Sequence, residues 1–327
     1  MSVQRLATRR WRIRTGIPAA LRSAALNGVA AWAVAAVLLV VLVDQQGSVF
    51  LSQLNLADLL SQTVVLGLVA TGQTFVMIAG GIDLSVGSLA TLATVLTAGL
   101  INGKAILTLP VLALVIVLGA AVGIGHGLLV TRARLAPFIV TLGTYFLLQG
   151  CAFAYTSTPV GSIPTSLSNF VYSQAGPFPV IFLILVVLLV VLGWVLSRTS
   201  FGVHVYATGG DAVIARSAGI ATGRVVTACY VISGVLAAVA GYVLAARASV
   251  GTPSAGSGLE LDAITAAVLG GTSLLGGRGK LIGTAGGVAL LALIRNAFTL
   301  LSISSFYQEL VLGLVIVAAV AIFTRRD

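Results

Sequence analysis

The sequence predicts an all-α integral membrane protein, a polytopic bundle of about ten transmembrane helices, and three observations carry that prediction. The chain of 327 residues is 58% hydrophobic and 8% charged, where soluble domains average about 25% charged. Apolar runs close to the ~20 residues that a helix needs to cross a bilayer fill nearly its whole length. Its arginines cluster in short gaps on one side of the resulting zigzag.

The first run, Asn27 to Val43, follows a basic stretch, Arg5 to Arg22, in the manner of a signal peptide. Val43-Asp44-Gln45 offers no small-residue cleavage site, so the run is read as a retained span. The second and third, Leu59 to Ala79 and Leu84 to Ile101, are parted by Gly80, Gly81 and Asp83. The fourth, Leu107 to Val130, carries Gly119, Gly123 and Gly127 at a spacing of four, which lets a neighbouring helix approach closely. The fifth and sixth are Pro137 to Tyr155 and Phe178 to Leu196. The seventh, Val225 to Ala246, precedes an eighth, Leu261 to Leu275, that opens on Glu260 and Asp262. The ninth, Leu281 to Leu301, repeats the close-packing spacing with Gly283 and Gly287, and the tenth is Phe306 to Phe323.

A cytoplasmic N-terminus places Arg5, Arg9, Arg10, Arg12, Arg14, Arg22, Arg132, Arg134, Arg198, Arg216, Arg224, Arg278, Lys280, Arg325 and Arg326 inside. The opposite orientation leaves almost none there. Both termini are therefore expected in the cytoplasm. The net charge of +10 is a topology signal, because these residues flank spans and lack the aromatic interleaving of a nucleic-acid surface. No polar linker divides the chain, so residues 1–26 are read as a basic cytoplasmic N-terminus and residues 27–327 as one transmembrane domain.

Several motifs fail when their chemistry is checked. Gly276-Gly277-Arg278-Gly279-Lys280 imitates a phosphate loop, but Leu274 stands at the first glycine position and Leu281 replaces the magnesium-binding hydroxyl. It is read as a cytoplasmic turn. Cys151 and Cys229 have no partner at ligand spacing, and no metal site is expected. His126 and His204 have no carboxylate close in sequence and are read as structural. Arg295 and Glu309 are read as a pair across adjacent helices.

The eight acidic residues are more informative. Asp83 in Gly81-Ile82-Asp83-Leu84 and Glu260 in Gly258-Leu259-Glu260-Leu261 share one pattern, each opening a span, in opposite directions. A charge at the bilayer centre costs roughly 2.5 to 3.5 kcal/mol on insertion scales. Such a residue should face a polar cavity, cap a helix or sit nearer the interface, and the sequence leaves these placements open. The repeated pattern predicts an inverted repeat whose glycine-interrupted helices frame a pathway.

The cytoplasmic loop 198–224 holds Gly209-Gly210-Asp211-Ala212-Val213-Ile214-Ala215-Arg216-Ser217-Ala218-Gly219-Ile220. Asp211 is expected to cap a short helix there, with Ala212, Ala215 and Ala218 on one face beside Gly219 as a smooth surface for a protein partner.

Taken together, Gly80 to Ser88, Gly209 to Ile220, Glu260 to Ile264 and Val268-Leu269-Gly270-Gly271-Thr272-Ser273-Leu274 resemble, in order and spacing, the permease subunits of bacterial ribose-type monosaccharide importers of the ATP-binding-cassette class. The long arginine-rich N-terminus departs from that pattern. The resemblance implies a ten-helix permease in the cell (inner) membrane that works with a second permease copy or paralogue, a cytoplasmic ATPase and a periplasmic or extracellular sugar-binding protein. It implies no catalytic residue and no cofactor in this chain, ATP and magnesium being held by the ATPase. Gly209, Gly210, Asp211, Ala215, Arg216, Gly219 and Ile220 would then form the coupling helix. Asp83, Ser85, Ser88, Thr91, Glu260, Asp262, Thr272 and Ser273 are the candidates for the translocation pathway, since a hydrated sugar needs small and hydroxyl-bearing walls. The same hydroxyls also commonly serve helix backbone. Rival readings are a branched-chain amino-acid or nucleoside permease, an ion-coupled secondary transporter, which lacks a buried titratable relay here, and a membrane enzyme, which lacks any catalytic constellation.

Overall fold

The computed structural model describes residues 28–304, 306–308, 310–311 and 313–314. Its helices are α1 (Val29–Phe50), α2 (Gln53–Ile78), α3 (Val86–Ile101), α4 (Thr108–Thr131), α5 (Pro137–Tyr155), α6 (Thr165–Tyr172), α7 (Val180–Arg198), α8 (Ser200–Gly210), α9 (Ala212–Ser217), α10 (Thr222–Ala248), α11 (Leu259–Leu269) and α12 (Leu281–Leu300). A two-stranded hairpin, β1 (Gln174–Ala175) with β2 (Phe178–Pro179), joins α6 to α7. Among the described residues, seven helices are long and apolar enough to cross a membrane: α1, α2, α4 with the 3-10 turn before it, α5, α7, α10 and α12.

Two of the expected spans are shorter than the sequence pattern. The helix expected from Leu84 starts at Val86 and has 16 residues. The expected span Leu261 to Leu275 is an 11-residue helix, α11, about 16 Å long at 1.5 Å per residue and too short to cross unaided. Helix α11 ends because Gly270 and Gly271, the latter at φ 86°, turn the chain. Ahead of it, residues 249–258 run through the bundle without helix, their backbone held by Gly251, which exchanges hydrogen bonds with Val160 at 2.8 and 2.9 Å. Residues 1–27, most of the expected tenth span and Glu309 lie outside the described residues. The segment between α5 and α7 contains α6 and the hairpin.

Helix α10 is the centre of the bundle, with α2, α3 and α4 around it. The glycines of α4 make this possible, since a Cβ on Gly119, Gly123 or Gly127 would overlap Gly234 O, Tyr230 O or Thr227 Oγ1 of α10. Gly283 and Gly287 let α12 lie against Gly270 and Ala266 at the end of α11 in the same way. In lipid, where apolar surface gains little from leaving its surroundings, such backbone-to-backbone contact supplies the dispersion energy that holds helices together.

Candidate functional site

At one end of the bundle, α8 and α9 form the loop expected to meet a partner. Asp211 Oδ1 accepts hydrogen bonds from the backbone N–H of Val213 at 2.8 Å and Ile214 at 2.9 Å, so the expected cap is present. The Ile214 and Val213 amides, with help from the Arg216 charge, hold the Asp211 carboxyl below the usual carboxylate range. The orientation of α9 differs from the alanine-face expectation. Ala215 is 4% exposed, turned in toward α8 and α10, whereas Val213 and Ile214 are 65% and 68% exposed. At 3.6 residues per turn, Val213 and Ile214 fall off the side that Ala215 presents to α8 and α10. The outward surface is therefore Val213 and Ile214 with Arg216, Ala218 and Gly219, while Ile220 is half-buried and packs toward the core.

Behind this surface lies a junction of three glycine pairs. Gly209, at the end of α8, sits between the Ile78 carbonyl and Gly277, and a Cβ on it would overlap Ile78 O and stand 2.8 Å from Gly277 N. Gly277 N–H donates to Ile78 O at 2.9 Å. Cβ atoms on Gly276 and Gly277 would lie 2.9 Å from Gly80 Cα and Gly210 Cα. Tyr206 Oη donates to Gly279 O at 2.7 Å. The surface loop is thus keyed directly to the break after α2 and to the turn after α11. Gly210 itself has open space around a Cβ, so of the two glycines in the motif it is Gly209 that is sterically required.

The break after α2 carries a buried polar cluster. Asp83, 1% exposed, accepts from Ser85 N at 3.0 Å and Ser85 Oγ at 2.7 Å through Oδ1, and from Ser233 Oγ of α10 at 3.0 Å through Oδ2. His126 Nδ1 of α4 stands 4.0 Å from Oδ2, and its ring meets Tyr230 edge-on at 5.5 Å. Sequence reasoning missed His126, Ser233 and Tyr230 because each comes from another helix, far along the chain. Ser88 Oγ donates to Ser85 O at 2.9 Å. Asp83, Ser85 and Ser88 are enclosed within the protomer and hold the break together.

The starts of α3 and α11 meet. Thr91 Oγ1 donates to Gly87 O at 3.0 Å and accepts from Gly256 N at 3.0 Å. Glu260 lies over Gly87, where a Cβ would overlap Oε2, and that oxygen is buried without a hydrogen-bond partner. Asp262 pairs with Arg295 of α12, which gives Arg295 a partner within the described residues, distinct from the expected Glu309. Thr272 and Ser273 belong instead to the turn after α11. Thr272 is buried, and Ser273 Oγ accepts from Leu275 N at 3.1 Å.

Two of the cavities among the described residues border α2 and α12. One of about 700 Å³ between α2, α7 and α12 is walled almost wholly by aliphatic and aromatic side chains, Phe182, Leu185 and Leu189 among them. A polar solute finds few partners there. A smaller one, about 250 Å³, lies at the bundle end opposite α9, beside Gln62, Arg247, Asp262 and Arg295.

Comparison with known sequences decides the lineage. Residues 55–320 match the family described as branched-chain amino acid transport system, permease component. The chain belongs to this family. The ribose import permease protein of Bacillus subtilis (strain 168) is 41% identical over 298 residues, covering 89% of this chain and 91% of that one. The ribose import permease protein of Escherichia coli (strain K12) is 36% identical, with 90% and 93% covered. The D-allose transport system permease protein of the same strain is 34% identical, with 84% of each chain covered. No solved structure matches the chain. It is a multi-pass membrane permease component, and the ribose-type resemblance read from its motifs extends over nine-tenths of its length.

Proposed function

We propose that this permease forms the translocation pathway of an ATP-binding-cassette importer for a monosaccharide, in the bacterial inner membrane with both termini cytoplasmic. The observation that carries the proposal is the glycine junction at Gly209, Gly80 and Gly277, which joins an outward apolar helix to both helix breaks of the bundle. An ATPase that grips Val213 and Ile214 and moves α9 would pull on Ile78 and Gly277 together, and hence on the starts of α3 and α11. Residues 198–224 act as the coupling loop of a single transmembrane domain, with Gly209, Gly210, Asp211, Ala215, Arg216, Gly219 and Ile220 as its working segment. Ala215 and Gly209 serve as its inner anchors. ATP and magnesium are held by the separate ATPase, and this chain needs no cofactor.

The ten-span architecture rests on the seven long helices, on α3 and α11 as interrupted spans, and on the apolar run Phe306 to Phe323. An inverted repeat is supported by a reciprocal packing pattern. Helix α10 packs on α3 and α4, while α2 packs on α11 and α12, as a two-fold axis between α2 and α10 would require. In that relation Asp83 and Glu260 occupy matching places. The pathway runs between this chain and a second permease, a copy or a paralogue, with Glu260, Thr91 and Asp262 nearer to it than Asp83, Ser85, Ser88, Thr272 and Ser273. A periplasmic binding protein delivers the sugar.

The family description favours branched-chain amino acids, whereas the ribose and allose permeases among the relatives favour sugars. Proteoliposomes carrying the chain with its ATPase and binding protein separate the two. ATP-dependent uptake of a pentose or hexose, with no uptake by this chain alone, is the expected result. Uptake of leucine in preference to any sugar, or gradient-driven transport without the ATPase, would overturn the proposal.

A further inference from the structure

The small cavity opposite α9 is built from charges that neutralise one another in pairs. Arg247, near the end of α10, donates from NH2 to Asp58 Oδ1 at 2.9 Å, and Asp58 Oδ2 accepts from Gln62 Nε2 at 2.6 Å. On the other side, Arg295 of α12 is paired with Asp262 of α11. Each guanidinium is held in place by its carboxylate, and each keeps a buried Nε–H without an acceptor. Ser257 and the Gln62 amide add further donors and acceptors to the wall, and Leu244 and Leu259 supply an apolar face.

This set of groups specifies its occupant. The two Arg–Asp pairs leave no net charge to attract an anion or a cation, so an ionic ligand would lose its hydration without compensation. A ring with several hydroxyls matches instead. Its oxygens can accept from guanidinium N–H groups of Arg247 and Arg295, its O–H groups can donate to the Asp262 carboxylate and the Gln62 carbonyl, and its C–H face can rest on the leucines. The volume, about 250 Å³, admits one sugar ring with a few waters and excludes a disaccharide. We propose that this cavity, lined by Gln62, Arg247, Ser257, Asp262 and Arg295, is a weak binding site for one neutral monosaccharide within each permease chain. It would be a second checkpoint, beyond that of the binding protein. The inference rests on the sugar-importer reading and goes beyond it by assigning selectivity to the permease itself.

The test uses the full-length chain in complex with its ATPase in nanodiscs, without binding protein, and measures binding of tritiated D-ribose, with D-allose as a second probe. Saturable binding in the millimolar range is expected, competed by unlabelled monosaccharides and not by sucrose, phosphate or leucine. Ala292 lines the cavity beside Arg295, so Ala292→Phe should fill it and lower binding at least tenfold. Gln62→Leu removes polar partners without adding a new charge and should weaken binding several-fold. Gel filtration of each complex establishes that it is folded. Absence of saturable binding to the wild-type complex, full binding in both variants, or competition by phosphate would overturn the assignment. The importer reading is decided separately by uptake with the binding protein present, so a transporter that imports sugar normally while its permease binds none would refute this site alone.

Discussion

Gly209→Ala is the sharpest perturbation of the coupling scheme. The added Cβ overlaps the Ile78 carbonyl oxygen and stands 2.8 Å from Gly277 N. Carbon–oxygen contacts normally settle at about 3.3–3.6 Å, so relieving the overlap with Ile78 O requires α8 to retreat from the end of α2 by roughly 2 Å. Both neighbours are backbone, without a flexible side chain to swing away. Overpacking of this kind costs about 1–3 kcal/mol, and the Gly277 N–H to Ile78 O hydrogen bond, threatened by the same movement, adds about 0.5–1.5 kcal/mol. The sum, roughly 2–4 kcal/mol, acts on the docked arrangement of α8 and α9 while the transmembrane helices still insert. It corresponds to a coupled population reduced roughly 30- to 700-fold at 1.4 kcal/mol per factor of ten. Binding-protein-stimulated ATP hydrolysis and sugar uptake in proteoliposomes are the readouts, with membrane insertion measured alongside. Gly210→Ala is the control, since its Cβ meets nothing within 4 Å, and a change within about 0.5 kcal/mol is expected. Wild-type coupling in Gly209→Ala, or equal loss in both variants, would refute the junction as the mechanical link.

Four further outcomes follow from the same geometry. Val213→Asp or Ile214→Asp, at exposed apolar positions, should abolish co-purification with the ATPase while leaving the thermal unfolding of the permease in detergent unchanged. The Asp211 carboxyl is held low in the folded chain by the Ile214 and Val213 amides, so its capping contribution is complete above the ordinary carboxylate range near 3.9 and lost as pH falls through the depressed value. ATPase association measured between pH 5 and 8 should then be flat with respect to this group, and a midpoint in that window that disappears in Asp211→Asn would contradict the assignment. Asp83→Ala leaves the Ser85 and Ser233 hydroxyls without their acceptor inside the bundle, at about 1–3 kcal/mol for each buried group left unmade, and should lower the melting temperature in detergent, whereas retention of the wild-type value would mean the cluster is not structural. Cysteine at Ser85, fully buried, should resist small aqueous thiol reagents in every nucleotide state, while cysteine at Leu261, 51% exposed, should react.

The helical membrane class was legible before any fold, because hydrophobic composition and span length are imposed by the bilayer on each segment independently. The Asp211 cap was equally legible, since a side-chain oxygen serving amides two and three residues onward is a local event. Close packing through Gly119, Gly123 and Gly127 could be read from a spacing of four, which places them on one helix face, although nothing in the spacing named α10 as the partner. What needed the tertiary structure is whatever depends on which helices become neighbours. Hydropathy shows Leu261 to Leu275 as one more span, but Gly271 turns the chain after eleven helical residues, and α11 is held by α12 and α2 despite its short length. The alanine stripe on α9 looked like an interface because composition does not say which side of a short helix its own chain covers. The covered side fell to Ala215 and left Val213 and Ile214 outward. Ser233 found Asp83, and Arg295 found Asp262, across 150 and 33 residues of sequence. Such pairings carry no local signature, because the electrostatic benefit of satisfying a buried charge is realised only once packing has brought the partner from another helix into reach.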